Sequence, residues 1–157
     1  MEITYVGNKQ LLKLPIVAFL SSRKISSETL LRCYDWATEM RDKGACVISG
    51  FHSKVEKDVL TFLLKGKQPI IVVLGRAMYK KTPKEWIIPL REKRLLIITT
   101  NSKGARYSVD TAEKRNRYIT EVSDKVVFGC LNINSSLYPL YQELLDVEKE
   151  IEILNDL

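Results

Sequence analysis

The chain has 157 residues, 45% of them hydrophobic and 28% charged, with a formal net charge of +6. That length suits a single domain with a real core, and no apolar run approaches the roughly 20 residues that cross a bilayer. The positive balance favours polyanionic partners through phosphate attraction and counterion release. Three cysteines without CxxC spacing, Cys33, Cys46 and Cys130, indicate neither a disulfide framework nor a zinc site. Met1 to Leu14 shows no signal-peptide pattern, so a cytoplasmic protein with buried reduced thiols is expected.

Residues 1–14 hold a short alternating piece, Ile3 to Val6, read as an N-terminal arm or an edge strand. The organising stretch is Ile16–Leu20, an apolar run that stops at Ser21-Ser-Arg-Lys24. A buried strand delivering such a loop to a helix start suits an anion, because backbone N–H groups and the helix dipole converge there. The next helix is expected over about Glu28 to Lys43, with Leu30, Tyr34, Ala37 and Met40 inward and Gly44 as its stop. A second core strand, Ala45–Ser49, ends at Gly50. Ser53-Lys-Val-Glu56 fits a capping box and opens a helix with Val55, Val59, Phe62 and Leu63 inward.

The third core strand is Ile70–Leu74, followed by Gly75. Thr82-Pro-Lys-Glu85 fits a second capping box, and Pro89 shortens or interrupts its helix. The fourth strand is Leu95–Thr99. A basic loop follows, with Lys103, Gly104, Arg106 and Tyr107, compatible with backbone contact and base stacking. Asp110-Thr-Ala-Glu113 fits a third capping box for a helix to about Ser123 that carries Lys114, Arg115, Asn116 and Arg117. The fifth strand is Val126–Phe128. A last helix over 135–157, capped by Asn134 or Ser135, places Leu137, Leu140, Tyr141, Leu144, Leu145, Ile151 and Leu154 in one stripe, fit for the sheet or for a homodimer.

Strands alternating with helices predict an α/β, three-layer, doubly wound parallel sheet of about five core strands in one domain. The expected order is 3-2-1-4-5, with the crevice outside the first and fourth strands, so that the loop after Leu20 meets the loop after Thr99. Catalytic patterns are thin. His52 is the only histidine, and Walker A, GxSxG and Cys-His patterns are absent from the sequence, so no enzyme, metal or cofactor is expected.

In order, Leu20-Ser-Ser-Arg23, Ser49-Gly50, Val73-Leu-Gly75, Arg115-Asn-Arg117 with Ile119, Ser123 and Val126-Val127, and Asn134-Ser-Ser-Leu137 resemble the Rossmann-like domain of the DNA-processing protein A (Smf) family. The likeness runs from about Ile16 to Leu145, within the wider lysine-decarboxylase-like nucleotide-binding group. It departs from the family pattern at Ser21, Lys54 and Ser135, where the family has glycine. The resemblance implies a non-enzymatic protein that binds single-stranded DNA, dimerises and helps load a recombinase during transformation. It assigns Ser22, Arg23, Ser49, Gly50, Arg115, Asn116, Arg117, Ser135 and Ser136 to an anion pocket; Ser21, Lys24, Lys103 and Arg106 join them from the composition of their loops. The alternative is a sensor for a nucleotide or nucleotide-derived ligand. The Pro-Gly-Gly-x-Gly-Thr-x-x-Glu signature of a phosphoribohydrolase is not supplied by Asn134 to Glu143. A scaffold that has lost its ligand is a third reading.

Overall fold

The computed structural model describes residues 3–101 and 108–156. Its elements are β1 (Thr4–Gly7), β2 (Ile16–Leu20), α1 (Ser27–Lys43), β3 (Cys46–Ser49), α2 (Lys54–Leu64), β4 (Ile70–Leu74), α3 (Ile87–Arg91), β5 (Leu95–Thr99), α4 (Val109–Val122), β6 (Lys125–Phe128), α5 (Leu137–Asp146) and β7 (Glu150–Ile153). The strands form one seven-stranded sheet in the order β1-β5-β4-β3-β2-β6-β7. All neighbours run parallel except β1, which pairs antiparallel with β5. The Ile3–Val6 piece is thus an edge strand.

Alternation along each strand divides the core in two. Ala18, Leu20, Ile71, Val73, Ile98 and Phe128 face α4 and α5. Phe19, Val47, Val72, Leu74, Ile97 and Val127 face α1 and α2. Strands buried on both faces read as unbroken apolar runs, which is why these segments were legible. Trp36 on α1 stacks on Phe19 with ring centres 5.0 Å apart, and Cys33 and Trp36 lie deeper than the expected Leu30 and Tyr34. Gly44 ends α1 in the left-handed region at φ 73°, its N–H bonding back to Arg41 and Met40 carbonyls.

The three-layer parallel architecture is as expected, but the strand order is not. In the numbering of the five core strands it is 4-3-2-1-5, so the fourth strand, β5, lies beside β4 rather than beside β2. A strand buried on both faces carries no mark of which neighbour it joins, so its apolar pattern leaves the order open. The β4–β5 link holds only a 3₁₀ turn at Lys84–Trp86 and the five-residue α3, which contains Pro89. Helix length does not set the order, since the 17-residue α1 also joins adjacent strands, β2 and β3. The 14-residue α4 makes the long return across β4 and β2 to deliver β6 to the other side. Right-handed crossovers in opposite directions then place helices on opposite faces.

The caps also differ in part. Ser53 and Glu56 form the expected box on α2. At Pro83 no side-chain capping bond forms, and the box on α4 lies two residues upstream, between Ser108 and Thr111. The last helix stops at Asp146. Glu148 takes a φ of 57°, and Glu150–Ile153 becomes β7 beside β6. Ile151 and Ile153 alternate with glutamates, and Lys125 reaches Glu152 at 2.8 Å, a cross-strand pairing that a helical stripe does not anticipate. Leu137, Leu140 and Leu144 pack on the sheet, while Leu145 and Val147 are exposed.

Candidate nucleic-acid interface

In a doubly wound sheet the crevice opens where consecutive strands leave in opposite directions. Here that point is β2, flanked by β3 and β6, so the loop after Leu20 meets the loop after Phe128 and not the one after Thr99. Thr100 and Asn101 instead tie the end of β5 to β4, through Thr100 N–H to Leu74 O at 3.3 Å and Asn101 Nδ2 to Gly75 O at 3.4 Å. Lys103 and Arg106 lie outside the described residues.

The two central loops are stitched into one wall. Ser22 N–H donates to Cys130 O at 2.7 Å, and Asn132 N–H donates to Ser22 Oγ at 3.2 Å. Asn132 Nδ2 donates to Lys24 O at 2.9 Å. Asn155, just past β7, clamps the backbone of Leu131 from both sides, accepting its N–H at 2.7 Å and donating to its carbonyl at 3.1 Å. Ser135 Oγ donates to Asn132 O. Ser136 stands at the start of α5 without a side-chain capping bond; in that first turn Tyr138 N–H donates to Ser135 O at 3.2 Å and Pro139 has no N–H, so this helix start offers little to an anion.

Above this wall lies an open cleft of about 1550 Å³. Ser21, Ser22, Arg23, Lys24, Arg115, Asn116, Arg117, Ser135 and Ser136 all line it. Arg23 and Lys24 are exposed at its rim. Arg115 is only 6% exposed. A Cβ placed on Gly50 would fall 2.7 Å from its Nε, so the guanidinium lies directly on the glycine backbone. Its Nε also donates to Asn116 Oδ1 at 3.2 Å. Gly50 lines a smaller neighbouring pocket. Ser49 is fully buried and lines neither; its Oγ accepts Phe51 N–H and steadies the turn in which Phe51 takes a φ of 45°.

Arg117 is placed differently. Its guanidinium forms a two-pronged pair with Glu143 of α5, at 2.6 and 3.0 Å. The pairing pulls the Glu143 carboxyl below its ordinary pKa and raises Arg117. Lys114 is exposed and does not line the cleft.

Sequence reasoning missed the organising carboxylate. Glu56 was read as a cap alone, yet it is 5% exposed. Its Oε1 accepts His52 and Ser53 N–H at 3.0 and 3.2 Å, and its Oε2 accepts Ser21 N–H at 3.2 Å. The cap of α2 thereby fixes the loop after β2, a link across the fold that local spacing does not signal. His52 also lines the cleft, and burial, then the nearby Arg115 charge, lower it below the ordinary 6.5. Burial pushes the Cys33 thiol up to about 12 and raises Cys130; all three cysteines are free and buried. Among the described residues no group of three or more His, Cys, Asp or Glu side chains could hold a metal, and no helix is long and apolar enough to cross a membrane.

The sequence model of the DNA recombination-mediator protein A family matches residues 1–132. The chain belongs to that family. No curated protein matches the sequence significantly. Among solved structures, DNA processing protein A from Streptococcus pneumoniae superposes with a TM-score of 0.76 at 19% identity, over 96% of this chain and 54% of that one. This chain thus spans about half the length of the pneumococcal protein. DNA processing protein A from Helicobacter pylori, described for its single-stranded DNA binding mode, also gives 0.76 at 19% identity, over 96% and 70%. A molybdenum cofactor binding protein from Rippkaea orientalis gives 0.64 at 14% identity, over 90% and 77%. These likenesses establish a fold common to all three.

Proposed function

We propose that this family member is a non-enzymatic, cytoplasmic protein that binds single-stranded DNA in the cleft at the carboxyl ends of β2 and β6, in DNA uptake or recombination. One observation carries the reading. Arg23, Lys24 and the buried Arg115 converge with the hydroxyls of Ser21, Ser22, Ser135 and Ser136 on one open cleft. Cations and hydroxyls of this kind contact backbone phosphates, and an open cleft admits a continuous strand. Family membership supports the reading, as does the DNA-binding relative from Helicobacter pylori. A recombinase partner and a homodimer belong to the same proposal.

The test is fluorescence anisotropy with a labelled oligo-dT across a salt series. Binding should weaken steeply with salt. The double variant Arg23→Ala/Lys24→Ala removes two exposed cations, which should lower affinity and flatten the log–log salt slope by about 1.4, at roughly 0.7 per phosphate contact on single strands. Arg115→Ala should cost about 1.5–3 kcal/mol of binding. Salt-independent binding, or indifference to these substitutions, would count against the proposal.

A second reading, a small anionic ligand such as a nucleotide, draws on the tightly stitched Ser22–Asn132 wall and on the molybdenum-cofactor-binding fold relative. A thermal-shift screen separates the two. One mononucleotide raising the melting temperature, with oligo-dT inert, would favour the small ligand.

A further inference from the structure

Beside the cleft, at the ends of β3 and β4, lies a second and smaller pocket of about 380 Å³. Arg115 and His52 line both cavities, so the two share a boundary. Their chemistry differs. Acidic side chains, Glu28, Glu56, Glu113 and Asp156, line the large cleft. Among the described residues no carboxylate lines the small one, whose walls are Phe51, Leu74, Tyr79 and Trp86 and whose cations are Lys57, Arg76 and Arg115. Its volume lies near the lower end of small-molecule sites, roughly 300–1,000 Å³, enough for one nucleotide unit.

The aromatic part is built rather than incidental. Arg76 lies over the Tyr79 ring with its guanidinium carbon 4.4 Å from the centre. The Trp86 indole meets the same ring at 5.7 Å and 72°. The backbone that carries Arg76 is anchored to the end of β5, because the Thr99 hydroxyl donates to Arg76 O and Asn101 Nδ2 donates to Gly75 O. Trp86 is buried, Tyr79 half-buried and Arg76 exposed. The stack therefore presents a flat cationic surface at the pocket, held from below by an edge-on indole. Guanidinium planes and aromatic rings are the surfaces on which unpaired bases stack.

We propose that this pocket is a base-binding subsite for a nucleotide adjoining the one whose phosphate rests on Arg115, with Arg76 and Tyr79 as its stacking platform. The inference rests on the reading of the cleft as a single-strand site and adds that the protein engages a base as well as the backbone. It gives the path of the strand a direction, along the sheet edge from β6 and β2 towards β3 and β4. It also separates the Arg115 position, shared by both cavities, from the outer cations, which serve only the large cleft.

The experiment compares two labelled oligonucleotides of equal length, oligo-dT and an abasic deoxyribose-phosphate strand, by anisotropy. Wild type should bind oligo-dT more tightly. Tyr79→Ala should lose roughly tenfold on oligo-dT, within the range for stacking one base, and be nearly unchanged on the abasic strand. Tyr79→Phe, which keeps the ring, should bind both like wild type. Should Tyr79→Ala melt well below wild type, Tyr79→Leu becomes the deciding variant, since it keeps apolar volume without a ring. Equal oligo-dT affinity in wild type and the ringless variant overturns the subsite. If Arg23→Ala/Lys24→Ala still weakens binding in that case, the cleft reading stands alone. Failure of wild type to bind oligo-dT at low salt overturns the cleft reading and the subsite together.

Discussion

Arg115 and Arg117 stand two residues apart on the same helix and both line the cleft, yet Arg115 is its buried, inner cation and Arg117 an exposed, outer one. On the inner side, Arg115 is buried against Gly50, and the same cleft is lined by the Glu56 carboxylate, which gathers backbone N–H groups from the loop after β2 and the start of α2. On the outer side, Arg117 is exposed and held by Glu143 across to α5. The inner charge is positioned by backbone and burial and depends little on salt; the outer one is held by a screened surface pair. One sequence motif therefore supplies a fixed cation and one held by a surface partner.

The comparison can be broken most forcefully through Glu56. Glu56→Ala would strip three backbone N–H groups of their acceptor, one of them the buried Ser21 N–H. We expect a loss of about 2–3 kcal/mol in folding stability, read by thermal or denaturant melts, with weakened DNA binding. A melt unchanged from wild type would show that the inner side does not depend on this carboxylate.

Gly50→Ala is the next largest effect and acts on ligand binding more than on folding. The added methyl would sit 2.7–2.9 Å from Arg115 side-chain atoms, and the guanidinium must shift. Oligo-dT affinity should fall about tenfold, comparable to losing one charged hydrogen bond. The same substitution combined with Arg115→Ala should add little, and a double-mutant cycle measures that.

On the outer side the sign reverses. Glu143→Gln releases Arg117 from its partner, so affinity at low salt should rise about two- to threefold, as expected for an exposed charge. Arg117→Ala should then cost more in the Glu143→Gln background than in wild type. Equal costs in both backgrounds would mean that Glu143 does not compete with the ligand.

The smallest effect concerns His52, whose pKa is lowered from 6.5 by burial and by Arg115. A bound phosphate favours the charged imidazole, so binding takes up protons and affinity should rise by less than about twofold as pH falls below about 6.5. For folding the sign is opposite. The depressed pKa contributes stability above pH 6.5 that is lost as pH falls towards the folded-state value. His52→Gln should flatten both profiles, followed by anisotropy and by melts between pH 8 and 5.5.

Much of this architecture was legible in the sequence because it is local. Runs such as Ile70–Leu74 and Leu95–Thr99 are apolar on both faces, and Gly44 and the Ser53–Glu56 box mark helix ends by their own chemistry. Nine of the expected site residues line the cleft, six from loops at the ends of β2 and β6 and three, Arg115, Asn116 and Arg117, from α4. Strand order and long-range partners belong to tertiary structure. A buried strand carries no mark of which apolar neighbour it joins, so the place of β5 beside β4 was decided only by pairing across the sheet. Nor did Glu150–Ile153 declare itself a strand, because Ile151 and the following Leu154 fit a helical stripe until the turn at Glu148 brings the segment beside β6. The fates of Arg115 and Arg117 were decided the same way. Their spacing put both near the cleft, but only the fold set Gly50 beneath one and Glu143 opposite the other.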